Sequence, residues 1–446
     1  MFRRALAAAL AATALTGTAS AQKAGNGQLC PDFAPCCGLY NDCGVGAFCV
    51  QGCDPVHSHS LGACVPNPQC KGGNYKLNSL SDVQTIDKYL GDASKINWVS
   101  QGRPVLYEDS ILLTMAEGTV GTLLSSTHYV WYGKICAKMT TSQGKGVVTA
   151  FIMMSDAKDE IDFEWVGVDT ENAQSNYYAL GVTDYTNGRN LSVSNTVNNV
   201  HEYCIDWKPE ELKWLIDGNE MRSVKRSDTW NETSKRFDYP QTPSRVMLSL
   251  WPAGLPSNEK GTIEWAGGEI DWNSPYMQNG YYYAMVQSVS VECYKPPSGA
   301  KGNGDKSYIY TDRSGTEGSV ERSNKQVILG SLYATGEDPQ EGAETASTAS
   351  RPTQSVNLVP GGNPGGGGRG EGVQTSGIGS PTGGAGNPDQ AQPTDNSDGT
   401  GNNDRGFNQG NGFGGQGAGS SLQPGLGKVG GGAVAIVVAI LGLMVL

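Results

Sequence analysis

Hydrophobic residues between positions 73 and 297 fall in short runs separated by Gly, Asn, Asp and Ser, without long helical periodicity. Many short apolar runs punctuated by turn residues predict an all-β sandwich. The predicted strands cover residues 110–115, 146–154, 178–182, 201–207, 213–216, 246–251 and 286–294, and a further one is expected at 308–310.

One predicted strand carries acidic side chains at every second position. Glu160, Asp162 and Glu164 alternate with Ile, Phe and Trp, so a strand here has one acidic face and one core face. Acidic residues are poor strand formers and like charges on one face repel, so this arrangement costs stability. Two carboxylates with different proton affinities beside one scissile bond are what glycoside hydrolysis requires. The alternative is a solvent-exposed acidic strand in an acidic protein, although a solvated face that backs onto Ile, Phe and Trp rarely lacks Lys or Thr among its polar residues.

The two ends of the chain have the patterns of targeting segments. Residues 1–21 combine two Arg residues, an Ala/Leu-rich stretch and a small-residue cleavage site, which predicts a secretory signal peptide. Residues 433–446 are apolar apart from Gly442 and follow a polar spacer, which predicts a GPI-anchor signal at 421–446 with attachment near 417–421. A tail-anchored helix is the alternative, although the stretch is shorter than the roughly 20 residues that span a bilayer.

Eight of the eleven cysteines lie between Cys30 and Cys70. Because secretion exposes the chain to oxidising conditions, this density predicts a small disulfide-held module that has its own means of stabilisation. The total is odd, so at least one thiol is expected to be unpaired within the chain or paired unexpectedly. The spacing leaves the connectivity open.

The net charge of −12 argues against nucleic acid as a partner and fits a neutral polysaccharide. No glycine motif for phosphate follows a predicted strand, so no nucleotide cofactor is expected. We expect no metal site at His57 and His59, because two His residues in a cysteine-rich loop are weak evidence for one. The protein is expected to be a monomer.

The motif Glu160-Ile-Asp162-Phe-Glu164 resembles the catalytic strand of glycoside hydrolase family 16. Its surroundings, residues 155–167, are more similar still to the fungal Crh-type transglycosylases, which join chitin to β-glucan in the cell wall. Further matching segments are residues 132–134, 201–207, 214–218 and 261–268. The resemblance implies a curved jelly roll, chitin and β-glucan as partners, and a location at the plasma membrane and cell wall.

The resemblance also implies the roles of the three carboxylates. Glu160 would be the nucleophile, Glu164 the acid/base that also contacts substrate, and Asp162 an assisting residue that hydrogen-bonds Glu160. The Cα atoms of Glu160 and Glu164 are about 13 Å apart in a flat strand, which leaves retention and inversion both open. Retention is what the resemblance implies.

Sugar contacts are implied at Trp251, Thr262 and Arg222, with Trp265 a further aromatic near the cleft. Residues 251–254 are Trp-Pro-Ala-Gly where other members have Trp-Ala-Gly-Gly, so the local loop is expected to differ. A core position is the alternative for each Trp, because Trp is largely buried on average. Polar residues at alternate spacing after the acidic strand are additional candidates: Gln174, Asn176 and Tyr178.

The cysteine order around Tyr40 and Phe48 resembles the hevein-type chitin-binding module, in which aromatic rings stack on sugars. Gly38 and Asn41 depart from that pattern, because the family usually has Ser and Gly there. The alternative is a purely structural disulfide knot.

We therefore expect a signal peptide at 1–21, a hevein-like module at 22–70, a jelly-roll domain at 71–297, a C-terminal extension at 298–337, a disordered Gly/Ser/Pro-rich linker at 338–420 and the anchor signal at 421–446. Sequons at Asn190 and Asn231 predict exposed, glycosylated loops. The expected function is a retaining transglycosylase that cleaves chitin and transfers the fragment to β-glucan. The alternatives are a chitin or β-glucan hydrolase and a non-catalytic wall-binding protein, although a non-enzyme gains nothing from the repelling carboxylates.

Overall fold

A computed structural model describes residues 23–25, 27–343 and 356–360. The predicted signal peptide and anchor signal lie outside these residues, as does most of the predicted linker. In the described part of the chain, no helix is long and apolar enough to span a bilayer.

The described regular structure is almost entirely β, which confirms the predicted class. The strands before the predicted sandwich are β1 Cys36–Cys37, β2 Cys43–Gly44 and β3 Asn67–Pro68. The next strands are β4 Gly73–Lys76, β5 Val83–Thr85, β6 Trp98–Gln101, β7 Val105–Tyr107, β8 Ser110–Ala116, β9 Thr122–Val130, β10 Gly133–Met139, β11 Val147–Ser155, β12 Glu160–Val166, β13 Asn172–Tyr178 and β14 Arg189–Ser192. They are followed by β15 His201–Trp207, β16 Glu211–Ile216, β17 Asn219–Lys225, β18 Trp230–Asn231, β19 Arg236–Phe237, β20 Ser244–Pro252, β21 Tyr281–Cys293, β22 Ser307–Tyr310 and β23 Val320–Ser323. The α-helices are α1 Ala47–Val50 and α2 Lys260–Trp265, and short 3-10 turns lie at Tyr185–Asn187, Arg226–Thr229 and Glu317–Ser319.

Two large sheets form the sandwich. The first has the strand order β14-β13-β12-β11-β20-β9-β6-β5, and we name it the carboxylate sheet because β12 carries the three acidic residues. The second, the outer sheet, has the order β17-β16-β15-β10-β21-β8-β7, with β4 also paired to β21. Its stacking against the carboxylate sheet gives the jelly-roll fold that the sequence predicts.

The alternation in β12 sorts its side chains as predicted. Ile161, Phe163 and Trp165 are buried in the core between the two sheets. The rings of Phe163 and Trp165 stack at 5.7 Å, and both pack against Tyr203 of the outer sheet. The carboxylates therefore lie on the opposite face of the sheet, which we name the carboxylate face.

Most predicted strands are present, but the strand predicted at 178–182 is wrong. β13 ends at Tyr178, where that strand was expected to begin. Leu180 and Gly181 have φ values of 53° and 72°, and this left-handed backbone turns the chain out of the sheet. Asn190 and Asn231 of the two sequons lie in the short strands β14 and β18 and not in loops.

Five disulfides join ten cysteines: Cys30–Cys43, Cys36–Cys49, Cys53–Cys64, Cys70–Cys293 and Cys136–Cys204. The buried Cys37 is the unpaired thiol that the odd count predicts.

The cysteine-rich segment does not form a separate body. Phe48 and Val65 share one buried cluster with Val99 of β6 and with Leu329 of the C-terminal extension. Three small disulfide loops enclose little apolar area, so the segment completes its core with residues of the sandwich. The expectation of a self-sufficient module therefore differs from the structure.

The C-terminal extension also packs on the rest of the fold, since β22 pairs with both β3 and β23. Part of the predicted linker is attached as well. The carbonyl oxygens of Asn357 and Leu358 accept hydrogen bonds from the amides of Val45 and Ala47 at 2.9 and 3.0 Å. Residues 356–360 thus differ from the disordered linker predicted at 338–420.

Candidate active site

The three carboxylates of β12 lie side by side on the carboxylate face. Asp162 is only 2% exposed, whereas Glu160 and Glu164 keep partial access to solvent. Asp159, the residue before the strand, is fully buried and holds this end of β12 in place. Its carboxylate accepts hydrogen bonds from the amides of Leu180, Gln241 and Thr242, each at 2.9 Å.

Burial dominates the protonation of the three groups. Removal from water raises the pKa of Glu160 to about 7, while its hydrogen bond with Asp162 acts in the opposite direction. Burial and then the charge of Glu160 raise the pKa of Glu164 to about 8. The pKa of Asp162 is raised well above its ordinary value by burial and by the charges of both Glu residues. In the hydrogen bond between these two residues, the higher pKa of Asp162 makes Asp162 the donor and Glu160 the acceptor.

The neighbouring strand β13 supplies polar side chains to the same face. Gln174, Asn176 and Tyr178 lie directly opposite Glu164, Asp162 and Glu160, respectively. Directly opposite residues of an antiparallel pair point to the same side of the sheet. Asn176 donates to the Tyr178 hydroxyl at 2.7 Å. These three residues, which the sequence puts forward as sugar contacts, are thus brought to the carboxylates.

Two of the predicted tryptophans lie beyond Glu164. Trp251 lies opposite Val148 in β11 and is 2% exposed. Trp265 stacks on it at 6.1 Å and donates its indole hydrogen to Gln174 Oε1 at 2.8 Å. The indole of Trp251 is near enough to Glu164 to lower its pKa, which partly offsets the effect of burial. Trp251 is therefore buried beside Glu164, and the more accessible Trp265 covers it.

The other two predicted sugar contacts, Thr262 and Arg222, lie in different parts of the structure. Thr262 lies in α2, one turn before Trp265, and is partly exposed at the same end of the face. Arg222 donates to the carbonyl and hydroxyl oxygens of Ser175 and to Asn187 O, at 2.6–2.9 Å. The buried Ser175 lies opposite Phe163 and so faces the core, which places Arg222 on the core side of β13 and away from the carboxylates. Arg222 stacks on Trp214 there, at 4.5 Å from the ring.

Buried polar atoms on the carboxylate face that have no hydrogen-bond partner among the described residues include Asp162 Oδ1 and Ser249 Oγ. Buried polar groups are normally satisfied, by protein, water or ligand. Ser249 lies opposite Ala150, which itself lies opposite Glu164, so Ser249 shares the carboxylate face with the acidic residues. These unpartnered atoms suit a ligand that is rich in hydroxyl groups.

The two aromatics of the cysteine-rich segment do not form the predicted platform. Phe48 is 1% exposed and packs in the cluster with Val99, so its ring cannot stack on a sugar. Gly38 lies directly on this ring, since a Cβ there would be 3.3 Å from Phe48 Cδ1. Tyr40 remains partly exposed.

Sequence reasoning missed two residues of the site. Ser249 stands two positions before Trp251 in β20, and the period of a strand could have identified it as sharing the same face. Tyr185 is 77% exposed, and its ring contacts Tyr178 edge to face at 6.5 Å. It lies in a 3-10 turn, where periodicity gives no signal.

Comparisons with known proteins agree with this geometry. Residues 92–267 match the sequence profile of glycosyl hydrolases family 16. The chain is 50% identical to Crh-like protein 2 of Aspergillus fumigatus, over 81% of this chain and 83% of the relative. It is 42% identical to Congo red hypersensitive protein 2 of Saccharomyces cerevisiae, over 72% and 70% of the respective chains. The solved structure of apo Crh5 transglycosylase is 30% identical with a TM-score of 0.50, and the match covers 61% of this chain and 100% of that one. The chain therefore belongs to the Crh-like proteins of glycosyl hydrolase family 16, and it is an enzyme of the retaining glycosidase and transglycosylase class.

Proposed function

We propose that this enzyme cleaves chitin with retention and transfers the released fragment to β-glucan, cross-linking the two polymers in a fungal cell wall. The observation that carries the proposal is the row of Glu160, Asp162 and Glu164 on one face of β12, with Asp162 buried between the two Glu residues. The similarity to a solved transglycosylase of the Crh type supports transfer as the reaction.

Glu160 is the nucleophile in this proposal. Its carboxylate attacks the anomeric carbon and forms a glycosyl-enzyme, while the glycosidic oxygen leaves with the proton of Glu164. The raised pKa of Glu164 keeps that proton in place near neutral pH. Burial raises the pKa of Glu160, and the hydrogen bond that Asp162 donates to Glu160 partly offsets this rise and favours the anion that attacks.

The second step decides between transfer and hydrolysis. Glu164, now deprotonated, removes a proton from the incoming hydroxyl, whose oxygen forms a bond to the anomeric carbon as the bond between that carbon and Glu160 breaks. A bound acceptor sugar competes with water because its hydroxyl is held at the reacting carbon. In this proposal Trp265, Thr262 and the unpartnered polar atoms of the carboxylate face hold the acceptor sugar, which their polar and aromatic character supports.

The test is incubation of the full chain with chitin oligosaccharides and a fluorescent β-glucan oligosaccharide. A fluorescent product that chitinase shortens and that carries a β-linked N-acetylglucosamine at the junction supports the proposal. Shortened chitin fragments without any fluorescent hybrid would indicate a hydrolase. Binding without new products would indicate a wall-binding protein.

We further propose that the enzyme is a secreted, glycosylated monomer with a GPI anchor. The pattern of residues 1–21 and 421–446 supports this location. A phosphatidylinositol-specific phospholipase should release the protein from membranes, and the mature protein should lack residues 434–446. Recovery of a peptide from that tail in the mature protein would contradict the lipid anchor.

A further inference from the structure

The cysteine-rich segment covers much of the face that carries the carboxylates. The sheet register runs from Asp162 through Ile152, Met247 and Ser125 to Val99, across β12, β11, β20, β9 and β6. Because residues directly opposite each other share a face, all five side chains lie on the carboxylate face. Without the cysteine-rich segment, this row of residues would be an open surface that extends from Asp162 to β6.

An apolar side chain of the cysteine-rich segment covers the portion of the carboxylate face next to the acidic strand. Leu39 packs against a buried cluster that contains Ile152, Met154 and Met247. Ile152 and Met154 lie directly opposite Asp162 and Glu160. Leu39 itself is only partly buried, so it forms a surface beside the carboxylates.

Polar contacts and further apolar packing cover the next strands. Gln51 Oε1 accepts hydrogen bonds from Ser125 Oγ at 3.1 Å and from Arg245 Nη1 at 3.2 Å. Val99 of β6 is buried against Phe48 and Val50. Three strands beyond β11 are thus covered, a width of about 14 Å at about 4.8 Å per strand, which exceeds the size of one sugar ring.

The covering segment is fixed to the hairpin that leads into the acidic strand. Lys158, two residues before Glu160, forms an ion pair with the buried Asp54 at 2.8 Å and donates to Asn41 Oδ1 at 2.6 Å. On the other side, Arg313 of the C-terminal extension donates to the carbonyl oxygens of four residues between Pro55 and His59. Polar contacts on two sides therefore fix the position of the segment relative to the acidic strand.

We infer that residues 38–41 of the cysteine-rich segment are the end wall of the substrate cleft, and that Leu39 limits how many sugar units bind on the β11 side of the carboxylates. The segment then determines how many sugar units the cleft binds, and it does not act as an independent chitin-binding module. The inference rests on the proposed function only in taking a β-linked sugar chain as the ligand.

The experiment compares Leu39→Ala and Leu39→Trp with Leu29→Ala in the full chain. Leu29 belongs to the same segment but is 44% exposed, so its truncation is a matched control. Each protein is assayed with chitin oligosaccharides of increasing length at a fixed glucan acceptor, and then with glucan oligosaccharides of increasing length at a fixed donor. Thermal unfolding of each variant measures whether the fold is kept.

We expect Leu39→Ala to accept at least one additional sugar unit in one of the two series. The KM for the longer substrate should fall about tenfold, the ratio that about 1.4 kcal/mol of new contact gives. Leu39→Trp should shift the preference toward shorter substrates, and Leu29→Ala should match the wild type. An unchanged length profile in both series for both folded Leu39 variants would overturn the inference.

The readout does not depend on transfer. If water is the only acceptor, the lengths of the hydrolysis fragments report the position of the wall, and only the proposed function fails. If no cleavage occurs, the affinity of Glu160→Gln protein for chitin oligosaccharides of increasing length, with and without Leu39→Ala, gives the same comparison.

Discussion

The hydroxyl of Thr242 donates a hydrogen bond to Asp159 Oδ2 at 2.6 Å, and Asp159 directly precedes Glu160. The same carboxylate accepts three backbone amides, so it joins the start of β12 to the segment before β20 and to the turn after β13. The position of the nucleophile in the strand direction therefore depends on a buried carboxylate outside the catalytic motif.

Asp159→Asn should destabilise the protein, because an amide has one acceptor oxygen and leaves at least one buried donor unpaired. We expect a loss of about 1–3 kcal/mol in the free energy of unfolding, measured by urea denaturation. Asp312→Asn is the control, since Asp312 also accepts a turn amide, from Ser314 at 2.9 Å, but is exposed. Equal stability of the two variants would contradict the anchoring role of Asp159.

Glu160→Gln should abolish the glycosyl-enzyme and lower transfer by several orders of magnitude, roughly 10⁴-fold or more, with folding intact. Asp162→Asn should also lower the rate of transfer, but by a smaller factor than Glu160→Gln. Glu202→Gln is the control, because Glu202 lies on the outer sheet. A Glu160→Gln protein that keeps a tenth of the wild-type rate would exclude Glu160 as the nucleophile.

Glu164→Ala should separate the two roles of the acid/base. With a donor whose leaving group needs no protonation, the glycosyl-enzyme should still form but should accumulate, because no base activates the acceptor. Azide should restore turnover and give a glycosyl azide with the anomeric configuration of the substrate. Mass spectrometry of the intermediate and NMR of the azide product check the two steps, and an azide product of inverted configuration would contradict the assignment.

The carboxylate face should make stability fall as pH rises. In the folded protein the pKa of Glu160 is raised to about 7 and that of Glu164 to about 8, against about 4.3 for Glu in an unfolded chain. A raised pKa contributes stability that is present below about pH 4 and is lost as the pH rises through the folded values. Replacing Glu160 and Glu164 with Gln removes this loss, so the difference in melting temperature should grow in favour of the variant between pH 4 and 8. A constant difference over that range would show that neither group has a raised pKa.

The sequence predicts the sandwich and the acidic strand well, because both depend on local period. The alternation of residues 160–165 places Phe163 in the core and Asp162 on the opposite face. This assignment follows from the strand period alone and does not depend on residues elsewhere in the chain. The position of Arg222 depends on the crossing of two sheets, which no local pattern contains. Likewise, Phe48 is buried by Val99 and Leu329, residues far away in the chain, so a motif comparison with a free-standing module could not predict its burial.

The unpaired thiol of Cys37 should be chemically silent in the native protein. Its side chain is fully buried, and burial, followed by the charge of Asp54, raises the pKa of the thiol to about 12. Since the thiolate is the reactive form, iodoacetamide at pH 8 should not label the folded chain. All eleven cysteines lie within the described residues, and ten form disulfides, so denaturation without reductant should expose one thiol per chain. Peptide mapping should place the label on Cys37, and Cys37→Ser should remove it while keeping activity. Labelling of the native protein, or more than one reactive thiol after denaturation, would contradict this arrangement of the cysteines.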